Sequence, residues 1–172
     1  MASFSERVFG AARLDVRTFE EIEHDETALG QAIAVVVLAS IAAGIGAASW
    51  RGGAGVVAGI LGALVGWLVW AWLTYFIGTR VLPGAQTHAN WGQLLRTTGF
   101  AAAPGILRIF AVIPFFRWLV YLVVAIWTLA AFVVAVRQAL DYSSTLRAAG
   151  VCLIGWILYG IISVVFMALA RI

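Results

Sequence analysis

Lysine is missing from this sequence altogether, cysteine occurs once, and seven of the eight acidic residues crowd into the first thirty positions. A lone Cys152 leaves no intramolecular disulfide and no cysteine cluster for zinc or iron–sulfur binding; among apolar neighbours it reads as a small helix residue. The eleven basic residues are all arginine, a bias that fits GC-rich coding and carries no mechanistic weight. The scarcity of acids says more. No aspartate, glutamate, histidine or lysine falls inside the apolar runs, apart from Asp141 at a border. Proton relays, ion-coupled transporters and intramembrane proteases need such groups at depth. Haem held within a bilayer would need His, Cys or Met on facing helices. His24 and His88 both lie outside the runs and group with no other metal ligand. No catalytic residue, cofactor or metal site is therefore expected.

What is present is apolar. Hydrophobic residues make up 63% of the chain and charged ones 11%, against about a quarter charged in a soluble domain, so the fold class is all-α integral membrane. Residues 1–30 form an acidic head, and residues 31–172 a basic membrane body that carries eight arginines and only Asp141. The arginines are spread singly, which excludes a nucleic-acid surface. The first apolar run begins near residue 32 behind acidic sequence, not behind the basic opening of a signal peptide, and is expected to stay as an anchor.

Five transmembrane segments are drawn, at about residues 32–50, 54–77, 93–111, 118–136 and 148–170, each measured against a roughly 30 Å hydrocarbon core. The third is the odd one. It contains Arg96, Arg108 and Pro104; the two arginines, about 18 Å apart along a helix, could each reach an opposite interface. A short span kinked at Pro104 is the expectation, with a re-entrant loop as the alternative. With the N-terminus in the cytoplasm, Arg7, Arg13, Arg17, Arg80, Arg96, Arg137 and Arg147 fall inside. Arg51, Arg108, Arg117 and Arg171 fall outside, which favours an inner N-terminus and an outer C-terminus. The head should form amphipathic interfacial helix, with Phe4, Val8, Ala12, Phe19 and Ile22 on one side and Asp15 and Asp25 as caps.

In the second span Gly55, Gly59, Gly62 and Gly66 make one helical stripe of small-xxx-small pairs, matched by Ala32, Ala39, Ala43 and Gly46 in the first. Packing of these two spans on each other is one reading; a surface for a second copy or another membrane protein is the other. Gly53 to Ala58 matches G-x-G-x-x-A but follows no strand, so a dinucleotide site is rejected. Trp50, Trp91 and Trp118 lie at span ends as anchors. Trp67, Trp70, Trp72, Trp127 and Trp156 lie deeper, for packing, lipid contact or a bound pigment or quinone. Asp141, set between Arg137 and Arg147, belongs either to a charge-balanced turn or to a cytoplasmic docking surface. That surface would combine it with Arg80, Arg96 and the acidic run containing Glu20, Glu21 and Glu23, folded back onto the inward arginines.

Four stretches, "LDVRTFEEIEHD", "WLTYFIGTRVLPG", "QLLRTTGFAAAPGIL" and "VRQALDYSSTLRAAGV", resemble the Yip family of Ypt/Rab-GTPase-interacting membrane proteins, in its prokaryotic branch. Gly99, Phe100, Ala103 and Pro104 are the most recognisable element; Val16 departs from relatives that place proline there. The resemblance implies five spans with a cytoplasmic N-terminus. In eukaryotic relatives it also implies homo- or hetero-oligomers and prenylated GTPase partners, which reach this chain by analogy only. The leading expectation is a non-enzymatic membrane scaffold or adaptor, working through contacts with lipids, a second copy or another membrane protein. A bacterial cytoplasmic membrane is the expected site. An accessory subunit of a bioenergetic or transport complex is one alternative, and a lipid or small-molecule transporter using Pro104 is another.

Overall fold

The computed structural model describes residues 2–51 and 56–169; Gly55 and Arg171, and the side chains of Trp50 and Arg51, fall outside that part. Local chemistry sets the first two helices. Ser3 accepts from the Glu6 amide while Glu6 Oε2 accepts from the Ser3 amide at 2.7 Å, a capping box that opens α1 (Phe4–Ala12). Leu14 then turns the chain with a positive φ of 62°, and Asp15 caps α2 (Val16–His24) by accepting from the Arg17 amide. Asp25 repeats the device for the short 3₁₀ turn that leads into α3 (Leu29–Arg51).

The remaining helices are α4 (Val56–Phe76), α5 (Trp91–Phe100), α6 (Arg117–Ala139) and α7 (Thr145–Leu169). The fold among the described residues is all-α. Four stretches are long and apolar enough to cross a membrane: Glu26–Ala47, Gly59–Val81, Pro114–Ala139 and Thr145–Phe166. Their outward faces are apolar at helical spacing. Leu61, Val65, Leu68, Trp72 and Phe76 are exposed along α4, and Trp118, Leu122, Ile126 and Leu129 along α6.

The third expected span is not one helix. The α-helix α5 stops at Phe100, and the chain resumes at Ala103 as a 3₁₀ segment running to Val112. Pro104 explains the change. It has no N–H to give, and its ring would strike the carbonyl one turn back, so continuing α5 is blocked. Pro104 instead takes an early position of the new segment, where a missing donor costs nothing. The kink anticipated at this proline is therefore a change of helix type.

This two-part segment lies along α3. A Cβ on Gly99 would meet Ala32 Cβ at 2.7 Å, one on Gly105 would meet Ala39 Cβ at 3.2 Å, and one on Gly46 would collide with the Arg108 carbonyl. The small-residue face of α3 is thus turned to the third segment, whose glycines let two backbones close where lipid supplies no hydrophobic drive. On its other side the 3₁₀ segment packs on α6. Helix α6 packs on α7, α7 on α4, and α4 on α3, so the long helices form a closed ring.

The apolar face of the head packs on the bundle. Ala11, Phe19 and Ile22 are fully buried against Ala32, Val35, Phe100, Ala131 and Ala135, and Phe4 stacks at a tilt 6.4 Å from Phe100. An amphipathic face is satisfied equally by lipid or by protein; here the bundle offers the apolar groove. Burying side chains such as Phe19 and Ile22 is worth about 1.5–3 kcal/mol each relative to exposure in water.

Candidate functional site

Helix ends leave carbonyls without partners, and the bundle satisfies those of the head. Trp127 Nε1 of α6 donates to the Ala12 carbonyl at 2.6 Å, closing α1. Arg96 of α5, 7% exposed, donates from Nε to the Ile22 carbonyl at 3.2 Å and from Nη2 to the Glu23 carbonyl, closing α2. A guanidinium there also sits at the negative end of the α2 dipole.

The carboxylates of the head have separate fates. Arg7, 1% exposed, is gripped by Glu21 at 2.9 Å and Asp25 at 2.6 Å, and donates to Gln31 Oε1 at 3.2 Å. The Thr27 hydroxyl and then Arg7 hold the Asp25 carboxyl down at about 2. Glu23 is buried, and its Oε1 accepts from Gln93 Nε2 at 2.9 Å. Burial, with the negative charge of Asp141 adding to it, pushes its carboxyl up to about 7. Glu20 stays exposed and offers only its backbone carbonyl, to His24 Nδ1 at 2.8 Å.

The acidic run makes separate contacts. Arg96 meets the run through backbone carbonyls, Glu21 and Asp25 go to Arg7 inside the head, and Arg80 is exposed. Arg137 Nε donates to the Tyr142 carbonyl at 3.1 Å; Arg147 donates to the Pro83 carbonyl at 3.3 Å and lies over the Tyr142 ring. These contacts staple the α6–α7 turn to the end of α4. There the last turn, Ile77–Val81, widens into a π-helix, and the Tyr142 hydroxyl offers its proton to the Gly78 and Leu82 carbonyls at 2.9 and 2.6 Å. Asp141 holds the turn with a positive φ of 51°, its amide donating to the Gln138 carbonyl at 2.9 Å. A polar cavity of about 530 Å³ beside it is lined by His88, Arg137, Asp141 and Ser143.

A second, larger cavity of about 710 Å³ opens inside the ring of helices. Ala39, Ala43, Gly59 and Gly66 all line it, so part of both small-residue faces borders empty space instead of touching. Gly66 takes the Tyr159 hydroxyl, at 2.5 Å from where its Cβ would be. Gly62 is exposed and faces nothing within 4 Å, and Gly46 meets the 3₁₀ segment. Arg108 also lines this cavity, with Nη1 3.5 Å from the Cβ position of Gly105. Its side chain folds back toward Gly105, one turn earlier in its own segment. Of the deep tryptophans, Trp67 donates to Thr98 Oγ1 at 3.0 Å, Trp70 meets Phe132 edge-on at 4.7 Å, Trp72 stacks on Phe76, and Trp156 borders the cavity.

Sequence reasoning missed Arg7, the bridge to Trp127 and the inward aim of Arg108. The buried arginine had a signal, since Arg7 precedes Ala11 by one helical turn on the face that carries the apolar residues. No curated protein and no solved structure matches the chain. The family model for the Yip1 domain matches residues 15–167, from the cap of α2 to the last turns of α7, and the chain belongs to that family of multi-pass membrane proteins.

Proposed function

We propose that this chain is a non-enzymatic, five-span scaffold or adaptor of a bacterial cytoplasmic membrane, with its N-terminus inside and its C-terminus outside. The observation that carries the reading is the pinned head beside the stapled α6–α7 turn. Arg96, Trp127 and Tyr142 use their donors to fix the head and the turn, leaving Arg80, Asp141 and Arg147 exposed, with Asp141 lining a polar cavity. Such a face suits a cytoplasmic protein of complementary charge, with a GTPase as the family analogue. The path of the third segment supports the fifth crossing: its contacts run from Ala32 to Gly46 of α3, about 21 Å of helix.

Cross-linking in membrane vesicles tests the adaptor reading. Wild type should give a discrete cross-linked species from the cytoplasmic side, and Arg80→Glu with Arg147→Glu should abolish it while the protein still accumulates. An unchanged cross-link pattern in the double variant would remove the exposed arginines from any partner contact.

A specific feature favours the accessory-subunit reading as a second possibility. The Cβ position of Gly62, between the exposed Leu61 and Val65, has nothing within 4 Å of it. A partner helix packed there would co-purify in fixed ratio at every salt concentration and be lost on Gly62→Leu.

A further inference from the structure

Glu23 is a buried carboxyl to which the fold gives no cation. It is 4% exposed, and its Oε1 accepts from Gln93 of α5, a neutral amide. Arg96, on the same helix, turns its donors to the Ile22 and Glu23 carbonyls instead. Arg7 of α1 is held by Glu21 and Asp25, and Arg137 near the end of α6 gives its Nε to the Tyr142 carbonyl. Among the described residues the ion pairs are those of Arg7, so none closes on Glu23. Taking an ion out of water without a partner is costly, and a buried carboxyl avoids that cost by keeping its proton.

The surrounding charges favour the proton further. After burial itself, Asp141 on the α6–α7 turn is the next cause that raises the Glu23 carboxyl, and Glu20 on α2 adds to it; His24 and Arg96 oppose them. The carboxyl titrates at about 7 while the head is docked, against 4.5 when it is released. A docked head therefore holds a proton that a released head gives up. The stability that proton brings is full below 4.5 and is lost as pH rises through about 7. What α2 covers is apolar: Phe19 and Ile22 lie against Phe100, Ala131 and Ala135, and the short turn Glu26–Ala28 joins the head to α3.

We propose that the head is a proton-held cover on the bundle: a proton on Glu23 keeps α2 closed over Phe100, Ala131 and Ala135, its loss opens the cover, and the Asp141 carboxylate sets how readily it is lost. The device works within one chain and stands whether or not a cytoplasmic protein engages the neighbouring turn.

Hydrogen exchange over residues 2–24 of the full-length protein in detergent tests it, read at pH 5.5 and pH 8 and corrected for intrinsic rates. In wild type, head protection should fall by roughly ten- to thirtyfold between the two, as expected for one proton bound with those two pKa values. Asp141→Asn removes the charge and keeps the turn, because asparagine tolerates the left-handed φ of 51°. It should raise head protection several-fold at pH 8 and leave it nearly unchanged at pH 5.5. In a Glu23→Gln background the same substitution should change nothing at pH 8. Protection of α7 should stay level throughout. A wild-type head equally protected at both pH values, or a parallel loss of protection in α7, would overturn the cover. No gain from Asp141→Asn, or the same gain with Glu23 replaced, would overturn the part given to Asp141.

Discussion

Arg96 on α5 and Glu23 on α2 are joined through the backbone, not through their opposite charges: the guanidinium donates to the Glu23 carbonyl, while the Glu23 carboxyl takes Gln93. The arrangement makes Arg96 a helix cap for the head. Replacing it by leucine keeps the apolar stem and leaves the Ile22 and Glu23 carbonyls unpaired in a buried place. A loss of about 2–4 kcal/mol in head docking is expected, from charge-assisted bonds and unsatisfied carbonyls together. Hydrogen exchange over residues 2–24 should rise toward the unprotected limit while α6 and α7 keep their protection. Uniform loss across the whole chain would show that the head does not open independently.

Head docking should weaken as pH rises from about 5 to 8. Glu23 ionises near 7 when docked, because burial and the Asp141 charge disfavour its anion, but near 4.5 when released. The docked state therefore holds more protons between those values, and stability falls with pH across that window, by about 1–3 kcal/mol. His24 acts in the same direction. Its pKa is raised, first by the Glu20 carbonyl and then by Glu23, so its contribution is present below 6.5 and fades as pH climbs through the raised value. Asp25 opposes them only in acid, losing its contribution as pH drops from 3.8 toward 2. Exchange protection of the head, corrected for intrinsic rates, should be higher at pH 5.5 than at pH 8. In Glu23→Gln most of that slope should vanish; an undiminished slope would assign it elsewhere.

The four long helices were legible because apolar runs bracketed by arginine at 117, 137 and 147 leave few places for an end. Asp15 and Asp25 announced the head's caps for the same local reason. Other features depend on contacts that no local pattern encodes. Pro104 signals that a helix cannot continue, but not that a 3₁₀ segment follows; that choice rests on Gly105 closing against Ala39. Amphipathic spacing in the head likewise cannot distinguish lipid from the groove beside Phe100 and Ala131. Arg108 was expected to reach toward the headgroups; helical side chains lean toward their own N-terminus, and here Arg108 lies near Gly105 and lines the cavity.

Two neighbouring backbone positions, one just after α4 and one on the α6–α7 turn, should respond oppositely to substitution. A Cβ on Gly78 would collide with Leu140 Cδ1, inside the π-helical turn that Tyr142 caps. Gly78→Ala should destabilise by about 1–3 kcal/mol, the usual cost of overpacking. Asp141 already adopts a left-handed φ, so Asp141→Gly should be neutral or stabilise by up to about 1 kcal/mol, and Asp141→Val should destabilise. Thermal melts of the purified protein measure both. If Asp141→Gly were as damaging as Asp141→Val, the carboxylate itself, and not the backbone angle, would be what the turn requires.

The sidedness of the third segment decides between a crossing and a loop that dips and returns. Its contacts advance along α3 in one direction, Gly99 on Ala32, Gly105 on Ala39 and Ala111 near Gly46, which is the path of a parallel neighbour and not of a hairpin. Ser143 on the α6–α7 turn and Phe115 before α6 are exposed, at opposite ends of α6. In a Cys152→Ala background, Ser143→Cys should react with an impermeant maleimide only in inside-out vesicles. Phe115→Cys should react only in right-side-out ones. Gln86→Cys, in the loop before α5, should label with Ser143→Cys. If Gln86→Cys and Phe115→Cys label from the same side, the segment between them re-enters, and the chain has four crossings with α6 and α7 inverted relative to the proposed order.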